Sequence, residues 1–172
     1  YYNNPGETSL YGKKANITEQ TWFSTKSLFP AITKFFYGRA ENLGLTGSYK
    51  DRMKFRLAET YLLLAEAYLG QGNPAKAADA VNEVRKRAGA TVIGAGQMNM
   101  DFLLDERIRE LVGEESRRFT LVRTNKLVDR VKLYNGAIKD KIMDFHALWP
   151  IPQSIIDANR DAEFPQNPGY GK

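Results

Sequence analysis

Residues 51–89, DRMKFRLAETYLLLAEAYLGQGNPAKAADAVNEVRKRAG, contain the pattern that decides the fold. Two series of apolar residues recur there at the spacing of an α-helix, about 3.6 residues per turn. The first series is Phe55, Ala58, Leu62, Ala65 and Leu69, and the second is Ala77, Ala78, Val81, Val84 and Ala88. We therefore predict a helix from Asp51 to Gly70 that lies antiparallel to a helix from Pro74 to Ala88.

The turn between the two predicted helices contains the residues that end one helix and begin the next. Gly70 and Gly72 interrupt the first apolar series, and Asn73 followed by Pro74 is typical of a helix start. The resulting hairpin has the layout of one tetratricopeptide unit, which cannot bury its apolar face alone. Because no second copy appears in the sequence, we expect its neighbours to come from other parts of a longer protein.

Two further helices are predicted within residues 101–134. Asp101 is expected to cap the first of them, and the second is expected to run from about Leu121 to Tyr134. The core series of the first helix is Leu104, Ile108 and Leu111. The predicted fold class is therefore all-α, with a tetratricopeptide-like hairpin over residues 51–89 followed by these helices.

Irregular segments are predicted on both sides of the helices. Residues 1–50 are rich in Gly, Asn, Ser, Thr and aromatic residues and keep no helical or strand period, which indicates a loop-rich segment. Residues 146–172 contain four of the seven prolines, which predicts an extended strap with one short helix near residues 154–158. The strap residues that we expect to be buried against the helices are Trp149, Ile151 and Tyr170.

Composition excludes several classes of site and partner. The 172 residues include no cysteine and one histidine, His146, which excludes disulfides, thiolate zinc sites, cysteine nucleophiles and histidine-rich metal sites. No cofactor is expected. Basic and acidic residues almost balance within residues 101–145, so the net charge of +5 does not predict a nucleic-acid partner. No apolar run approaches the roughly 18 residues of a membrane span.

Three segments carry motifs at consistent separations, and the third of them has two parts. They are RLAETYLLLAEA at 56–67, ERIRELVGEESRRFTLVR at 106–123, WPIPQ at 149–153 and QNPGY at 166–170. Together they resemble the SusD (RagB/SusD) family of nutrient-binding outer-membrane lipoproteins. The positions that match the family's motifs are Arg56, Glu59, Glu66, Glu106, Arg107, Glu110, Arg117, Pro150, Pro152, Gln166, Asn167 and Pro168. The positions that depart from them are Glu115, Arg118, Phe119, Thr120 and Ile155, of which Glu115 replaces a usual Gly.

The resemblance implies that residues 1–172 are the C-terminal portion of a SusD-like domain. The QNPGY motif normally lies at the extreme C-terminus of family members, so Lys172 is expected to be close to the natural end. The missing part is then expected before Tyr1. In the family these motif residues look architectural, so we expect them to hold the helices and the strap in place.

The same resemblance implies the function and the location. We expect non-catalytic binding of oligosaccharides at the bacterial cell surface and their delivery to a SusC-like TonB-dependent transporter. The whole protein is expected to be a surface-exposed lipoprotein of the outer membrane in a Bacteroidetes-type bacterium. Its lipid anchor is expected outside this chain.

Glu106, Glu110 and Glu114 follow one another at intervals of four residues and therefore share one helix face. Paired carboxylates suit acid–base catalysis, but the arginines interspersed among them favour a salt-bridge network. His146 precedes the Pro-rich strap in an apolar setting, which favours a packed, hydrogen-bonded ring over a catalytic one. We predict no catalytic residue and no metal site.

The aromatic residues between Tyr1 and Tyr37 are the candidates for ligand contact. Flat rings suit sugars, because the apolar C–H faces of a sugar stack on them while polar neighbours bind its hydroxyls. Trp22 is the ligand-binding candidate, because it lies among polar residues in a predicted loop. The alternative is that such aromatics anchor the loop to the core.

Two other functions remain open from the residues. One is a peptide-binding or assembly scaffold that uses the tetratricopeptide-like hairpin, which further repeats without the strap would favour. The other is a hydrolase acting through Glu106 or Glu110. It would require a second carboxylate about 5–10 Å away across an open cleft.

Overall fold

The computed structural model describes Lys34 and residues 53–171. Every regular element in this part of the chain is a helix and no strand occurs there, so the all-α prediction is confirmed. The chain divides into two units, Ile32–Arg117 and Tyr1–Ala31 with Arg118–Lys172. None of the described helices is long and apolar enough to cross a membrane.

The predicted hairpin is present as two helices, α1 (Leu57–Gly70) and α2 (Pro74–Arg87), which pack against each other. Their buried apolar residues are Ala58, Leu62 and Ala65 in α1 and Ala77, Ala78, Ala80, Val81 and Val84 in α2. Gly72 adopts a positive φ of 69° in the turn, a conformation that glycine tolerates best. The side chain of Asn73 caps α2 by accepting a hydrogen bond of 3.1 Å from the Lys76 backbone N–H.

The first helix is shorter than predicted, because it begins at Leu57 and not at Asp51. Residues 53–56 are not helical, and Phe55, which the apolar series included, is 86% exposed. An exposed Phe55 gives no burial energy to an additional helical turn. The backbone of Arg56 is extended (φ −147°, ψ 157°), and its side chain instead forms ion pairs with later glutamates.

The third helix, α3 (Met100–Leu111), begins at Asn99 and not at the predicted cap Asp101, since the Asn99 side chain accepts a 2.9 Å hydrogen bond from the Phe102 N–H. Its buried residues are Leu103, Leu104, Glu106, Arg107 and Leu111. Ile108 is 43% exposed, so its assignment to the core was wrong. The buried residues at intervals of four are Leu103, Arg107 and Leu111. Because Arg107 is charged, an apolar pattern does not reveal this core position.

A buried asparagine fixes the segment between α2 and α3. The side chain of Asn82 donates to the carbonyl of Ile93 at 2.9 Å and accepts from the N–H of Ile93 at 2.8 Å. Both backbone groups of Ile93 are thereby satisfied without a strand. Ile93 and Met98 consequently join the core of the hairpin.

Two helices, α4 (Arg117–Arg123) and α5 (Leu127–Tyr134), occur where one helix from Leu121 to Tyr134 was predicted. The break lies at Asn125, which adopts a left-handed φ of 54°. The Lys126 N–H bonds to the Leu121 carbonyl at 2.8 Å and the Asn125 N–H to that of Val122 at 3.0 Å. This pair of bonds is a Schellman motif, and Asn is one of the few residues that tolerate its left-handed position.

A short 3-10 helix, Asp144–Ala147, leads into the strap, and the strap includes α6 (Gln153–Ala158). The short helix predicted near residues 154–158 is therefore present. The remaining described residues of the strap, up to Gly171, form no regular element. The predicted loop-rich segment, residues 1–50, lies outside the described residues except for Lys34.

Candidate functional site

The glutamate row of α3 is paired with cations along its length. Glu106 Oε2 lies 2.7 Å from Arg85 Nη1 of α2 and 2.6 Å from Arg109 Nη1 of α3. Because Glu106 is buried, its carboxylate loses hydration, and these charge-assisted hydrogen bonds compensate that loss. The ion pair between Glu106 and Arg85 therefore links α3 to α2.

The two following glutamates share one arginine. Arg56 Nη1 lies 2.5 Å from Glu110 Oε1, and Arg56 Nε lies 2.5 Å from Glu114 Oε2. Arg87 adds a contact of 2.8 Å to Glu110 Oε1, and Lys34 pairs with Glu114. Arg56 and Lys34 also both donate to the backbone carbonyl of Glu110. Segments distant in sequence therefore converge on the end of α3.

These contacts shift the pKa values of Glu114 and Arg56. Burial alone would raise the pKa of the Glu114 carboxyl, but the hydrogen bonds and charges of Arg56 and Lys34 outweigh burial and hold that pKa below its usual range. Burial likewise opposes the charged form of Arg56, yet Glu114 and Glu110 together raise its pKa. Both ions of the pair are thus stabilised in the charged state.

The most deeply buried cation is Arg107, whose side chain is 2% exposed. Its Nη2 and Nε atoms lie 2.6 Å and 3.0 Å from Glu115 Oε2, and Glu59 lies 3.8 Å away. Glu115 was not among the predicted site residues. The signal that identifies it is its departure from the Gly usual in the family, because a carboxylate at this position neutralises a buried guanidinium.

The three glutamates of the row are all engaged in ion pairs. Glu106, Glu110 and Glu114 each accept hydrogen bonds from arginine side chains, which is the arrangement of a salt-bridge network. Among the described residues, no group of three or more His, Cys, Asp or Glu side chains is arranged to hold a metal ion. The ion pairs of the cluster link segments that are distant in sequence.

His146 belongs to an aromatic group in the C-terminal unit. The Met143 N–H donates a 2.9 Å hydrogen bond to its Nδ1. The ring stacks on Phe145 at 4.1 Å between centroids, and Tyr170 meets Phe145 edge-on at 5.1 Å. Gly169 has a φ of 90°, and a Cβ there would overlap Phe145, which explains the glycine of the QNPGY motif.

The strap is held by side chains that replace backbone pairing. The Gln166 side chain accepts from the Ile151 N–H at 2.7 Å and donates to the Ile151 carbonyl at 2.8 Å. Asn167 donates to the Trp149 carbonyl at 2.7 Å, and the Tyr170 hydroxyl donates to the Leu148 carbonyl at 2.8 Å. Prolines 150 and 152 flank Ile151 and lack an N–H, so Gln166 uses the one donor available between them.

The side chain of Trp149 is not buried as predicted, because the residue is 63% exposed. The Arg118 guanidinium lies over the indole at 4.2 Å from the ring centroid. Arg118 Nη2 also donates to the His146 carbonyl at 2.5 Å. The strap is anchored through its polar backbone groups and therefore does not require Trp149 as an apolar anchor.

A cavity of about 300 Å³ lies in the same unit, between the α4–α5 junction and the 3-10 helix. Its polar lining is provided by Asn125, Asp129 and Asp144, and leucine, valine and alanine side chains complete the wall. The carboxylates of Asp129 and Asp144 have no hydrogen bond or ion pair in the part of the chain that the structure describes. The wall therefore combines apolar surface with available hydrogen-bond acceptors.

A sequence model of the SusD family matches residues 2–170, almost the whole chain. The chain belongs to the SusD family. This membership agrees with the segments in which the resemblance was found, from the RLAETYLLLAEA helix to the QNPGY ending. A search of solved structures found no significant match.

Three curated relatives in the SusD family share parts of the sequence. "SusD-like protein P25" of Formosa agariphila is 32% identical over 76% of this chain and 27% of its own length. "SusD-like protein P38" of the same organism is 35% identical over 56% of this chain and 20% of its own. "Starch-binding protein SusD" of Bacteroides thetaiotaomicron is 38% identical over 67% of this chain and 21% of its own. The chain thus spans about a quarter of the length of these relatives.

The SusD-family motif residues fall into two separate groups. Those in the first unit are Arg56, Glu59, Glu66, Glu106, Arg107, Glu110 and Arg117, and those in the strap are Pro150, Pro152, Gln166, Asn167 and Pro168. Glu66 is half-buried in α1, and Arg117 contacts Glu115 at 3.4 Å. Trp22, the predicted ligand-binding residue, lies outside the described residues. Its role stays a prediction.

Proposed function

We propose that the full-length protein captures oligosaccharides at the bacterial cell surface and does not hydrolyse them. The observation that carries this proposal is the SusD-family match over residues 2–170. The relative named as a starch-binding protein gives the ligand class, since it is 38% identical over 120 residues. Saccharides are therefore the ligands to test first.

The glutamate row supports binding without catalysis. A general acid must be able to hold a proton near neutral pH, and Glu114 is instead driven toward the charged form by Arg56 and Lys34. Glu106 and Glu110 are each held by two arginines. The hydrolase alternative has no support among the described carboxylates of this helix.

Delivery of the bound saccharide to a SusC-like TonB-dependent transporter is a further part of the proposal. It includes a location at the outer membrane, as a surface-exposed lipoprotein. The support for the partner and the location is the family resemblance alone. No nucleic-acid partner and no cofactor are proposed.

We also propose different roles for different parts of the chain. We assign ligand contact to the aromatic segment within residues 1–50, with Trp22 as the first residue to test. The hairpin at 51–89, the helices at 101–134 and the strap at 146–172 would form the architectural C-terminal portion of the SusD-like domain. The ion pairs of Arg56 and the strap bonds of Gln166 support that architectural role.

Isothermal titration of the full-length protein with maltoheptaose, cellohexaose, xylohexaose and laminarihexaose tests ligand binding. We expect saturable binding of at least one of them, weakened at least 10-fold by Trp22→Ala. Phe119→Ala, at an exposed aromatic of α4, is the matched control and should leave the affinity unchanged. Absence of binding to any saccharide would refute the ligand class, and an unchanged affinity in Trp22→Ala would refute only the assignment of Trp22.

A pull-down tests the partner. The full-length lipoprotein purified from detergent-solubilised outer membranes should retain a large TonB-dependent transporter in stoichiometric amounts. A lipoprotein that is recovered alone, under conditions that preserve other outer-membrane complexes, would contradict delivery to a transporter while leaving saccharide capture intact.

A protein-interaction scaffold is the second candidate. The observation that favours it is the exposure of Leu57, Leu63 and Leu64 on α1, since a tetratricopeptide-like hairpin buries such a face against a neighbour. Leu57→Glu with Leu64→Glu should abolish binding of a partner protein and spare saccharide affinity if the scaffold reading holds. Loss of folding in this double variant would instead assign the face to the protein's own interior.

A further inference from the structure

We propose that the C-terminal unit carries a saccharide contact site of its own, formed by the exposed ring of Trp149 and the cavity beside the 3-10 helix Asp144–Ala147. This inference rests on the proposed capture of saccharides. It goes beyond that proposal because it assigns ligand contact to the strap, which otherwise has only an architectural role. The site is distinct in sequence from the aromatic segment that contains Trp22.

The first support is that Trp149 is exposed while its backbone is hydrogen-bonded. Its carbonyl accepts a hydrogen bond of 2.7 Å from Asn167, and the preceding carbonyl, of Leu148, accepts one of 2.8 Å from Tyr170. Pro150 follows directly and restricts the chain further. An aromatic ring on a fixed backbone loses little conformational freedom when it binds a ligand, which favours binding.

The second support is the position of Arg118. Its guanidinium covers the indole at 4.2 Å from the centroid, and its Nη2 is tied to the His146 carbonyl at 2.5 Å. The cation therefore fixes the orientation of the ring, while 63% of the residue remains exposed. A flat, oriented and accessible indole is the surface on which the C–H face of a pyranose stacks.

The third support is the adjacent cavity. At about 300 Å³ it lies at the lower end of the range of small-ligand sites, and the 3-10 helix that ends two residues before Trp149 provides part of its wall. The carboxylates of Asp129 and Asp144 line it, and neither has a partner among the described residues. Sugar hydroxyls are donors that satisfy such acceptors, and the leucine and valine side chains of the wall suit the C–H groups between them.

The lining distinguishes a saccharide from other ligands. Two exposed carboxylates repel phosphates and therefore disfavour nucleotides and nucleic acids. Two carboxylates also fall short of the six to eight oxygen ligands that Ca²⁺ takes, and the described residues hold no cluster of three or more metal-ligating side chains. A neutral, hydroxyl-rich ligand suits both the Trp149 ring, on which it can stack, and the two carboxylates, which accept hydrogen bonds from its hydroxyls.

Fluorine NMR on the full-length protein labelled with 5-fluorotryptophan tests this inference. Trp149→Phe identifies the resonance of Trp149, and circular dichroism checks that the variant is folded. The probes are maltoheptaose, cellohexaose, xylohexaose and laminarihexaose. We expect at least one of them to shift the Trp149 resonance saturably, and we expect Trp149→Ala and Asp129→Asn each to weaken the affinity of the site for that saccharide about 10-fold.

Two control variants match the changes in chemistry and exposure. Phe119→Ala removes another exposed aromatic, and Asp161→Asn neutralises an exposed aspartate away from the cavity lining. Both should leave the Trp149 shift and the affinity unchanged. Equal losses in the controls and in the site variants would contradict the inference.

The remaining outcomes separate this inference from the proposed function. Saccharide binding with an unmoved Trp149 resonance would overturn the C-terminal site and leave saccharide capture standing. No binding of any probe would overturn both. A Trp149 shift that follows protein concentration or addition of the transporter, and not addition of sugar, would assign the ring to a protein contact and also overturn the site.

Discussion

The two units hold their irregular segments by opposite means. In the unit Ile32–Arg117, extended Arg56 is fixed by ion pairs to glutamates beside an apolar core. In the C-terminal unit, the strap is fixed by neutral side chains such as Gln166, which bond its backbone while large aromatics stay exposed. Charge pairing thus accompanies burial in one unit, whereas amide pairing in the other leaves large aromatic side chains exposed.

The largest effect is expected from breaking the buried charge pair of the first unit. Glu115→Ala removes the closest carboxylate of the buried Arg107 guanidinium and leaves it the more distant Glu59, at 3.8 Å, which should lower the free energy of unfolding by about 3–5 kcal/mol. Urea denaturation followed by circular dichroism measures the loss. The control is Glu83→Ala, which removes an exposed pair with Lys86 and should hardly change the midpoint. Equal losses in the two variants would show that burial does not set the strength of these pairs.

A smaller, local effect is expected in the strap. Gln166→Ala removes both hydrogen bonds to Ile151, which should cost about 1–3 kcal/mol locally. Hydrogen exchange at the Ile151 amide should therefore accelerate about 10- to 100-fold. Gln153→Ala, which loses only an exposed bond to Asp157, is the control. Unchanged exchange at Ile151 would mean that the strap does not depend on Gln166.

The charge pairing of the first unit should also respond to acid. Because the folded-state pKa of Glu114 lies below its unfolded value of about 4.3, its stabilising contribution is present above that pH and is lost as pH falls through the folded-state pKa. Wild type should lose more stability than Glu114→Gln between about pH 5 and the acid limit of folding. The exposed Glu163 offers the control variant Glu163→Gln. Parallel pH curves for Glu114→Gln and wild type would contradict the pKa direction.

The smallest effect on stability is expected for Trp149→Ala. Since the ring is mostly exposed, its main loss is the contact with Arg118, worth about 0.5–1 kcal/mol at an exposed site. The melting temperature should fall only slightly. A fall as large as that of Glu115→Ala would mean that the ring is buried in the full-length protein, and the contrast between the units would then be wrong.

Periodicity predicted the helices because buried Ala, Leu and Val recur at helical spacing in α1 and α2. It failed where a single residue overrode the pattern: Asn125 ends α4 in a left-handed conformation, and Arg107 occupies a core position of α3. Apolar spacing carries no information about either event. Phe55 was wrongly assigned to the apolar series of the first helix, because spacing does not show whether another segment covers a side chain.

The candidate sites were predictable to different degrees. The resemblance identified Gln166 and Asn167 as motif residues, but their bonds to a backbone 15 and 18 residues away required coordinates. Glu115 was noticed only as a departure from the family pattern. The exposure of Trp149 contradicted the expectation that a proline-rich strap needs apolar anchors, because side-chain amides had already satisfied its backbone.

The most direct test of saccharide capture without catalysis is to measure binding and hydrolysis side by side in the full-length protein and in Glu110→Gln. Calorimetry reports the affinity, and chromatography of the saccharide after prolonged incubation reports any cleavage. The account predicts saturable binding, an intact saccharide in both proteins, and an affinity that Glu110→Gln changes little while lowering stability. Cleavage by the wild-type protein that disappears in Glu110→Gln would contradict it.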